Sequence, residues 1–228
     1  MKTQLVLFSF FISISLLAQN STKFYSVKYS FYNNGIQAEN ETNLRFKDGI
    51  VFLGDPSDKI RHYSNLKEKK NVTTIRYNGI LYKTEEAFEN LPTPEYHDSS
   101  TVILKQKCKF AKYSYFSNNI EVWYTEESKA KGSPYKTFLP SPDALVLKVR
   151  INGTRELIAT SISQEKLKEP LTYEANLATK VSEAQFEELK INSRFVRLSV
   201  FKNEQINFDN DLPISDDSPL ELDKTYRF

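Results

Sequence analysis

The chain has 228 residues, of which 39% are hydrophobic and 13% aromatic. That length allows one or two compact units, including one large β domain of about 200 residues. The 16 Phe and 13 Tyr favour strands, because aromatic rings suit a pleated, half-buried surface. With 31 basic and 29 acidic residues the formal charge is only +2, so the electrostatics give no reason to expect a nucleic-acid partner.

The first segment is typical of a secretory signal peptide. Lys2 gives it a positive start, the run from Leu5 to Leu17 is apolar, and Ala18 is a small residue before a plausible cleavage site. The apolar run is too short to span a bilayer comfortably, although an uncleaved membrane anchor is the alternative. We therefore expect a signal peptide over residues 1–18, a single β-rich domain over residues 19–228, and no membrane span after cleavage. The expected location is secreted, periplasmic or the cell envelope.

Several segments have the two-residue period of half-buried strands. Tyr25, Val27, Tyr29 and Phe31 alternate with polar residues, which predicts a strand over residues 24–32. Asn-Gly or Asp-Gly pairs follow or divide such runs at residues 34–35, 48–49, 78–79 and 152–153. These pairs are the strongest short-range signals for β-hairpins, because both residues tolerate positive φ. Residues 101–110 and 120–125 are predicted as further strands. The expected fold is all-β or β-dominated, with antiparallel meander sheets.

Only one helix has strong signals. Ser182 and Gln185 have the spacing of a capping box, and Val181 and Phe186 have the spacing of a hydrophobic staple. The predicted helix covers about two turns, residues 183–190. Residues 55–71 are polar and predict a solvated loop, Thr84 could begin a single helical turn over residues 85–90, and residues 195–201 alternate in the manner of a strand.

No catalytic, metal or cofactor motif is present in the sequence. Cys108, the one cysteine, lies on the apolar side of an alternating segment, so a packed core thiol is favoured over a reactive one. His62 and His97 belong to no closely spaced ligand set, and we expect both to be exposed to solvent. The absences make a hydrolase the least favoured class, and no cofactor is expected.

Aromatic residues around a proline-rich loop are the better functional lead. Trp123 and Tyr124 precede this loop, and Tyr135 and Phe138 lie within it. Flat rings can stack on sugars or hold an extended peptide. Trp123, Tyr124 and Tyr135 are therefore the candidate ligand-binding residues. A core role and a ligand contact are equally compatible with Trp123, whereas Phe138 is expected in the core.

The same stretch resembles the GLPGLI family of exported bacterial proteins. The residues that fit its signature are Lys107, Cys108, Ala111, Trp123, Tyr124, Thr125, Gly132, Pro134, Tyr135, Leu139, Pro140, Leu145 and Leu147. One residue, Ser133, is inserted in the Gly-Pro-aromatic turn. The glycine-containing core of the namesake motif is replaced by Ser141-Pro142-Asp143-Ala144.

The later segment VRLSVFKNEQINFDND is similar to the end of the N-terminal bowl-like domain of secreted type II peptide-N-glycosidase F proteins. This resemblance implies a secreted, non-catalytic accessory domain that helps an amidase engage glycoproteins, with the acidic catalytic residues in downstream domains. The partner it implies is a glycopeptide or a glycoprotein glycan. The alternative is a free-standing GLPGLI-like envelope protein that binds a protein or peptide.

Overall fold

A computed structural model describes residues 23–166 and 171–203. In these ranges twelve strands precede one α-helix, α1 (Glu183–Asn203). The strands are β1 (Lys23–Asn33), β2 (Ile36–Lys47), β3 (Ile50–Leu53), β4 (Ile60–Asn65), β5 (Lys70–Tyr77), β6 (Ile80–Ala87), β7 (Glu95–Ile103), β8 (Gln106–Tyr115), β9 (Asn118–Thr125), β10 (Leu145–Ile151), β11 (Arg155–Lys166) and β12 (Thr179–Lys180). Short 3₁₀ turns cover Phe88–Asn90 and Glu174–Leu177.

All twelve strands belong to one sheet, in the order β12-β6-β5-β4-β3-β2-β1-β11-β10-β9-β8-β7. The sheet is two meanders, β1–β6 and β7–β11, joined by the long antiparallel pairing of β1 with β11. Every named pairing is antiparallel except that of β12 with β6. The predicted β-dominated, antiparallel fold is confirmed.

The four predicted hairpin turns are present. At each, both central residues have positive φ: 50° and 80° at Asn34-Gly35, 53° and 87° at Asp48-Gly49, 49° and 80° at Asn78-Gly79, and 50° and 73° at Asn152-Gly153. These are the backbone angles of type I′ turns, whose twist matches that of the strands they join. Local turn chemistry therefore determines much of the meander.

The loop between β9 and β10 is part of the core. Ala130, Phe138 and Ala144 are fully buried, as expected for Phe138. The Gly132 amide donates to the Ala144 carbonyl at 2.8 Å, and the Gly132 carbonyl accepts from the amide of Val146 at 2.9 Å. Cys108 is also fully buried, which confirms the packed core thiol. The proline-rich segment thus packs into the core and is hydrogen-bonded to the start of β10.

Three predictions of local structure were wrong: a loop, a helical turn and an unbroken strand. Residues 55–71 contain β4, whose polar side chains are compatible with burial because Ser64 Oγ donates to Asn71 Oδ1 at 2.7 Å. Residues 85–87 continue β6, since pairing with β5 extends to Ala87, and only Phe88–Asn90 is a helical turn. The predicted strand 101–110 is interrupted by a turn at Leu104-Lys105, where both φ angles are positive.

The helix is longer than predicted. α1 begins at Glu183, where the Ser182 amide donates to Gln185 Oε1 at 3.0 Å and the Gln185 amide donates to Ser182 Oγ at 3.3 Å. This confirms the capping box. The helix continues to Asn203, so the strand predicted over residues 195–201 is wrong. No Gly or Pro follows Glu183 within it, and each added residue gains one backbone hydrogen bond. The predicted signal peptide lies outside the described residues.

Candidate ligand-binding surface

Strand register brings three rings together across β7, β8 and β9. His97 is opposite Phe110, and Phe110 is opposite Trp123. The ring centroids are 5.5 Å apart for His97 and Phe110, and 5.0 Å apart for Phe110 and Trp123. Both separations are in the range of favourable aromatic pairs. We call these three residues the aromatic row; all three side chains are partly exposed.

Two cations continue this row on β10. Lys148 lies opposite Trp123, with its Nζ 5.1 Å from the indole centroid, and Arg150 Cζ is 5.2 Å from the same centroid. Both distances are within the reach of cation–π attraction. The indole is therefore held on one side by a ring and on the other by two cations.

Carboxylates hold the two cations in turn. Lys148 Nζ is 2.6 Å from Glu156 Oε1, and Arg150 pairs with Glu121 through Nε and with Glu156 through Nη1 at 3.9 Å. The hydrogen bond from Arg150 to Glu121 raises the pKa of the guanidinium. The Trp123 surroundings thus carry two positive and two negative charges, all of them paired.

A bulge in β10 produces this arrangement. The register shifts between Val146, which is opposite Tyr124, and Lys148, which is opposite Trp123. The extra residue is Leu147, which is fully buried. A bulge of this kind changes which side chains share a face of the sheet. Here it allows β10 to place leucines in the core and a lysine beside the indole.

The predicted site residues do not form one surface. Trp123 and Tyr124 are consecutive in β9 and point to opposite faces of the sheet. Tyr124 is only 3% exposed and belongs to the core around Phe138. Tyr135 is half-buried and packs against both large core clusters, with its ring 6.2 Å from that of Phe138. Of the three, Trp123 is the residue in the aromatic row.

One cleft of about 690 Å³ adjoins the aromatic row, and another of the same volume lies beside Glu121 and Arg150. One is lined by His97 and Phe110 together with the ion pair of Lys109 and Glu126. The Lys109 ammonium lowers the pKa of the Glu126 carboxyl. The other cleft is lined by charged and amide side chains that include Lys112, Glu121, Arg150, Asn119 and Asn152. Clefts of this size suit small organic ligands such as sugar units.

A partly buried polar cluster lies where the loop between β9 and β10 meets β4 and β5. Lys136 Nζ donates to Thr73 Oγ1 at 3.2 Å, and His62 Nδ1 is 3.2 Å from the same oxygen. Burial lowers the pKa of Lys136, and burial with the Lys136 charge lowers that of His62 to about 4. The expectation that His62 is exposed was wrong, because it lies inside β4 opposite Thr73. Thr73 is 6% exposed, so its hydroxyl is poorly placed to reach a substrate.

Other searches of the described residues give negative results. In residues 23–166 and 171–203 no group of three or more His, Cys, Asp or Glu side chains could hold a metal ion. Within the same ranges no helix has the length and apolar character that crossing a membrane requires.

Comparisons with known proteins agree with the fold. Residues 18–187 match the family model described as the N-terminal domain of N-glycanase peptide. The structure of PNGF-II in the C2 space group matches with a TM-score of 0.62 and 22% identity, covering 73% of this chain and 32% of that chain. The structure in the P21 space group matches with a TM-score of 0.61 and 22% identity, covering 73% and 33%. No curated protein sequence matches.

The matches cover only part of the PNGF-II chains and only part of this chain. The chain spans about a third of the length of the PNGF-II chains, and at 22% identity the likeness shows the fold. The family match ends at Glu187, so the segment of residues 196–211, on which the sequence resemblance partly rested, lies beyond it. The match over residues 18–187 confirms the resemblance to the N-terminal domain. The GLPGLI-like resemblance stays a prediction.

Proposed function

The chain belongs to the family of N-glycanase N-terminal domains, and from this premise we propose that it is a secreted, non-catalytic accessory module that recognises the glycan of a glycoprotein. Its role is to hold a glycoprotein for an amidase. In this proposal the amide hydrolysis belongs to further parts of such an enzyme; the match to about a third of the PNGF-II chain is compatible with this division.

The aromatic row is the observation that carries this proposal. The row offers a partly exposed indole between a second ring and two paired cations. The apolar face of a pyranose packs on such a ring. Hydroxyl groups of the sugar can bond to the charged side chains beside it, since charge-assisted hydrogen bonds are stronger than neutral ones.

Charge balance favours neutral sugars. Lys148 and Arg150 are both engaged by Glu121 and Glu156, so no cation next to Trp123 lacks a counterion. An acidic sugar would have to displace one of these carboxylates and leave it unpaired. We therefore expect neutral hexose or N-acetylhexosamine units on this surface.

Titration calorimetry of residues 19–228 tests the proposal. The ligands are a free neutral N-glycan, an Asn-linked glycopeptide and the same peptide without its glycan. Binding of the first two is expected, with a loss of about tenfold in the Trp123→Leu variant, since contacts of an aromatic ring are worth about 0.5–1.5 kcal/mol beyond area burial and about 1.4 kcal/mol is a tenfold change in affinity. Leucine keeps apolar bulk, so the variant should fold.

The matched control is Phe46→Leu, which shortens another partly buried ring that packs on the core but lies outside the aromatic row. Its glycan affinity should be unchanged. Equal loss in both variants, or equal binding of the stripped peptide and the glycopeptide, would contradict glycan recognition at Trp123. The second of these results would support the alternative of an envelope protein or peptide partner.

A further inference from the structure

One edge of the sheet is open in the described structure. β7 is the last strand in the sheet order and pairs only with β8. Seven of its nine residues are exposed, and Val102 is 69% exposed. The outer edge of such a strand carries unpaired backbone N–H and C=O groups that can pair with another chain.

The two halves of β7 differ. A register shift between His97 and Ser100 marks a bulge at Asp98-Ser99. Before it, the Tyr96 hydroxyl donates to the Pro140 carbonyl at 2.8 Å and ties the strand to the buried loop. After it, Ser100–Ile103 pairs with β8 residue by residue. This second half has no charged residue, Gly or Pro, and so lacks the usual devices that protect a sheet edge.

We propose that Ser100–Ile103 accepts an extended segment of the substrate polypeptide as an additional strand, while the glycan attached to that segment lies on the aromatic row. The inference rests on the proposed function and adds the peptide partner to it. Main-chain hydrogen bonds supply affinity without a sequence requirement in this mode of recognition. Such tolerance suits a module that meets many glycoproteins.

The geometry links the edge to the row. His97, the first ring of the row, belongs to β7 itself, and the bulge places Ser100 opposite Lys109, only one β8 residue from Phe110, which is opposite His97. The cleft at the β7 bulge is lined by Ser100 together with His97 and Phe110. A sugar attached to an Asn of the added strand therefore has a continuous path from the edge to the rings.

A second copy of this chain is the less suitable occupant. The regular part of the edge is four residues long, or about 13 Å. A stable dimer buries about 800 Å² on each partner, far more than a four-residue strand contact provides. A short contact is sufficient for a glycopeptide, because glycan binding at the row raises the effective concentration of its peptide at the edge.

Amide hydrogen exchange of the ¹⁵N-labelled chain tests this directly. The probe is a short acetylated peptide with a central Asn, carrying an N-acetylglucosamine disaccharide on that Asn, and the control probe is the same glycopeptide N-methylated at alternate residues. The intact probe should slow exchange about tenfold or more at alternate amides of Ser100–Ile103. The methylated probe should bind about tenfold more weakly and protect none of them, because it cannot pair as a strand.

The free disaccharide separates the two proposals. If it binds and perturbs Trp123 while the glycopeptide leaves Ser100–Ile103 unprotected, strand addition is wrong and glycan recognition stands. If the peptide protects the edge but the disaccharide does not bind, the glycan role of the row is wrong. Protection that is present without any probe and accompanied by a doubled molecular mass would mean that a second copy occupies the edge, which overturns the inference.

Discussion

Substituting Gly132 by alanine should destabilise the protein through one identifiable contact. Gly132 has φ of +117°, and an added Cβ would lie 2.6 Å from Val51 Cγ2 and 2.9 Å from Val51 Cγ1. Val51 is fully buried, so it has little space to move. Positive φ costs an alanine about 1–2 kcal/mol, and overpacking adds about 1–3 kcal/mol. Gly132→Ala should therefore lose about 2–5 kcal/mol of unfolding free energy.

The matched control is Gly79→Ala. Gly79 also has positive φ, +80°, but a Cβ there would meet nothing within 4 Å. Its cost should be the backbone term alone, about 1–2 kcal/mol. Urea unfolding followed by the fluorescence of the single tryptophan gives both values. A Val51→Ala change should cost less in the Gly132→Ala background than in wild type, because it removes the clash. Equal costs for the two glycine variants would refute the packing argument for the buried loop.

Three further predictions concern buried polar groups and the helix cap. Burial lowers the pKa of His62 from 6.5 to about 4, so the unfolded chain binds more protons at this residue between these pH values. The His62 contribution to stability should fall by about 3 kcal/mol as pH drops through this window, and His62→Gln should make the slope shallower in urea unfolding. Tyr29→Phe should cost about 1 kcal/mol of unfolding free energy, because the Tyr29 hydroxyl donates to the Val146 carbonyl at 2.7 Å. Tyr113→Phe should be close to neutral, since the buried Tyr113 hydroxyl has no hydrogen-bond partner in the described structure. A larger loss for Tyr113→Phe in the same unfolding assay would contradict this account. Ser182→Ala removes the cap of α1 and should lower the stability of the helix by about 1 kcal/mol. Amide exchange in the first turns of α1 should become faster, and unchanged exchange would count against the cap.

Local chemistry made the meander predictable. Each Asn-Gly or Asp-Gly pair determines its own turn within four residues, and alternation on either side determines which side chains face inward. The turn at Leu104-Lys105 was missed for the same reason, because neither residue favours positive φ and nothing local announces it. The strand β4 was missed because its polar residues satisfy one another only after β5 has paired with it, as Ser64 and Asn71 do.

The aromatic row was beyond sequence analysis for a different reason. Trp123 could be singled out as the one tryptophan, but its neighbours Phe110 and Lys148 lie 13 and 25 residues away. Their proximity depends on the register of three strands. The bulge in β10 shifts that register, and a one-residue shift exchanges the faces of a strand. The bulge in β7 lies just after His97, the residue that brings β7 into the row. Tyr124 adjoins Trp123 in the sequence, but consecutive residues of a strand point to opposite faces of the sheet, so nearness in the chain does not place both in one site.

The same bulges explain how one protein region serves both stability and binding. Without the register shift in β10, Leu147 rather than Lys148 would be opposite Trp123; with it, Leu145 and Leu147 enter the core and Lys148 lies beside the indole. The cation and carboxylate pairs then hold the Trp123 surroundings in one arrangement before any ligand arrives. Side chains that are already ordered lose little conformational entropy on binding. Because the core needs the leucines and the surface needs the lysine, the proposed site depends on the β10 bulge as well as on the indole of Trp123.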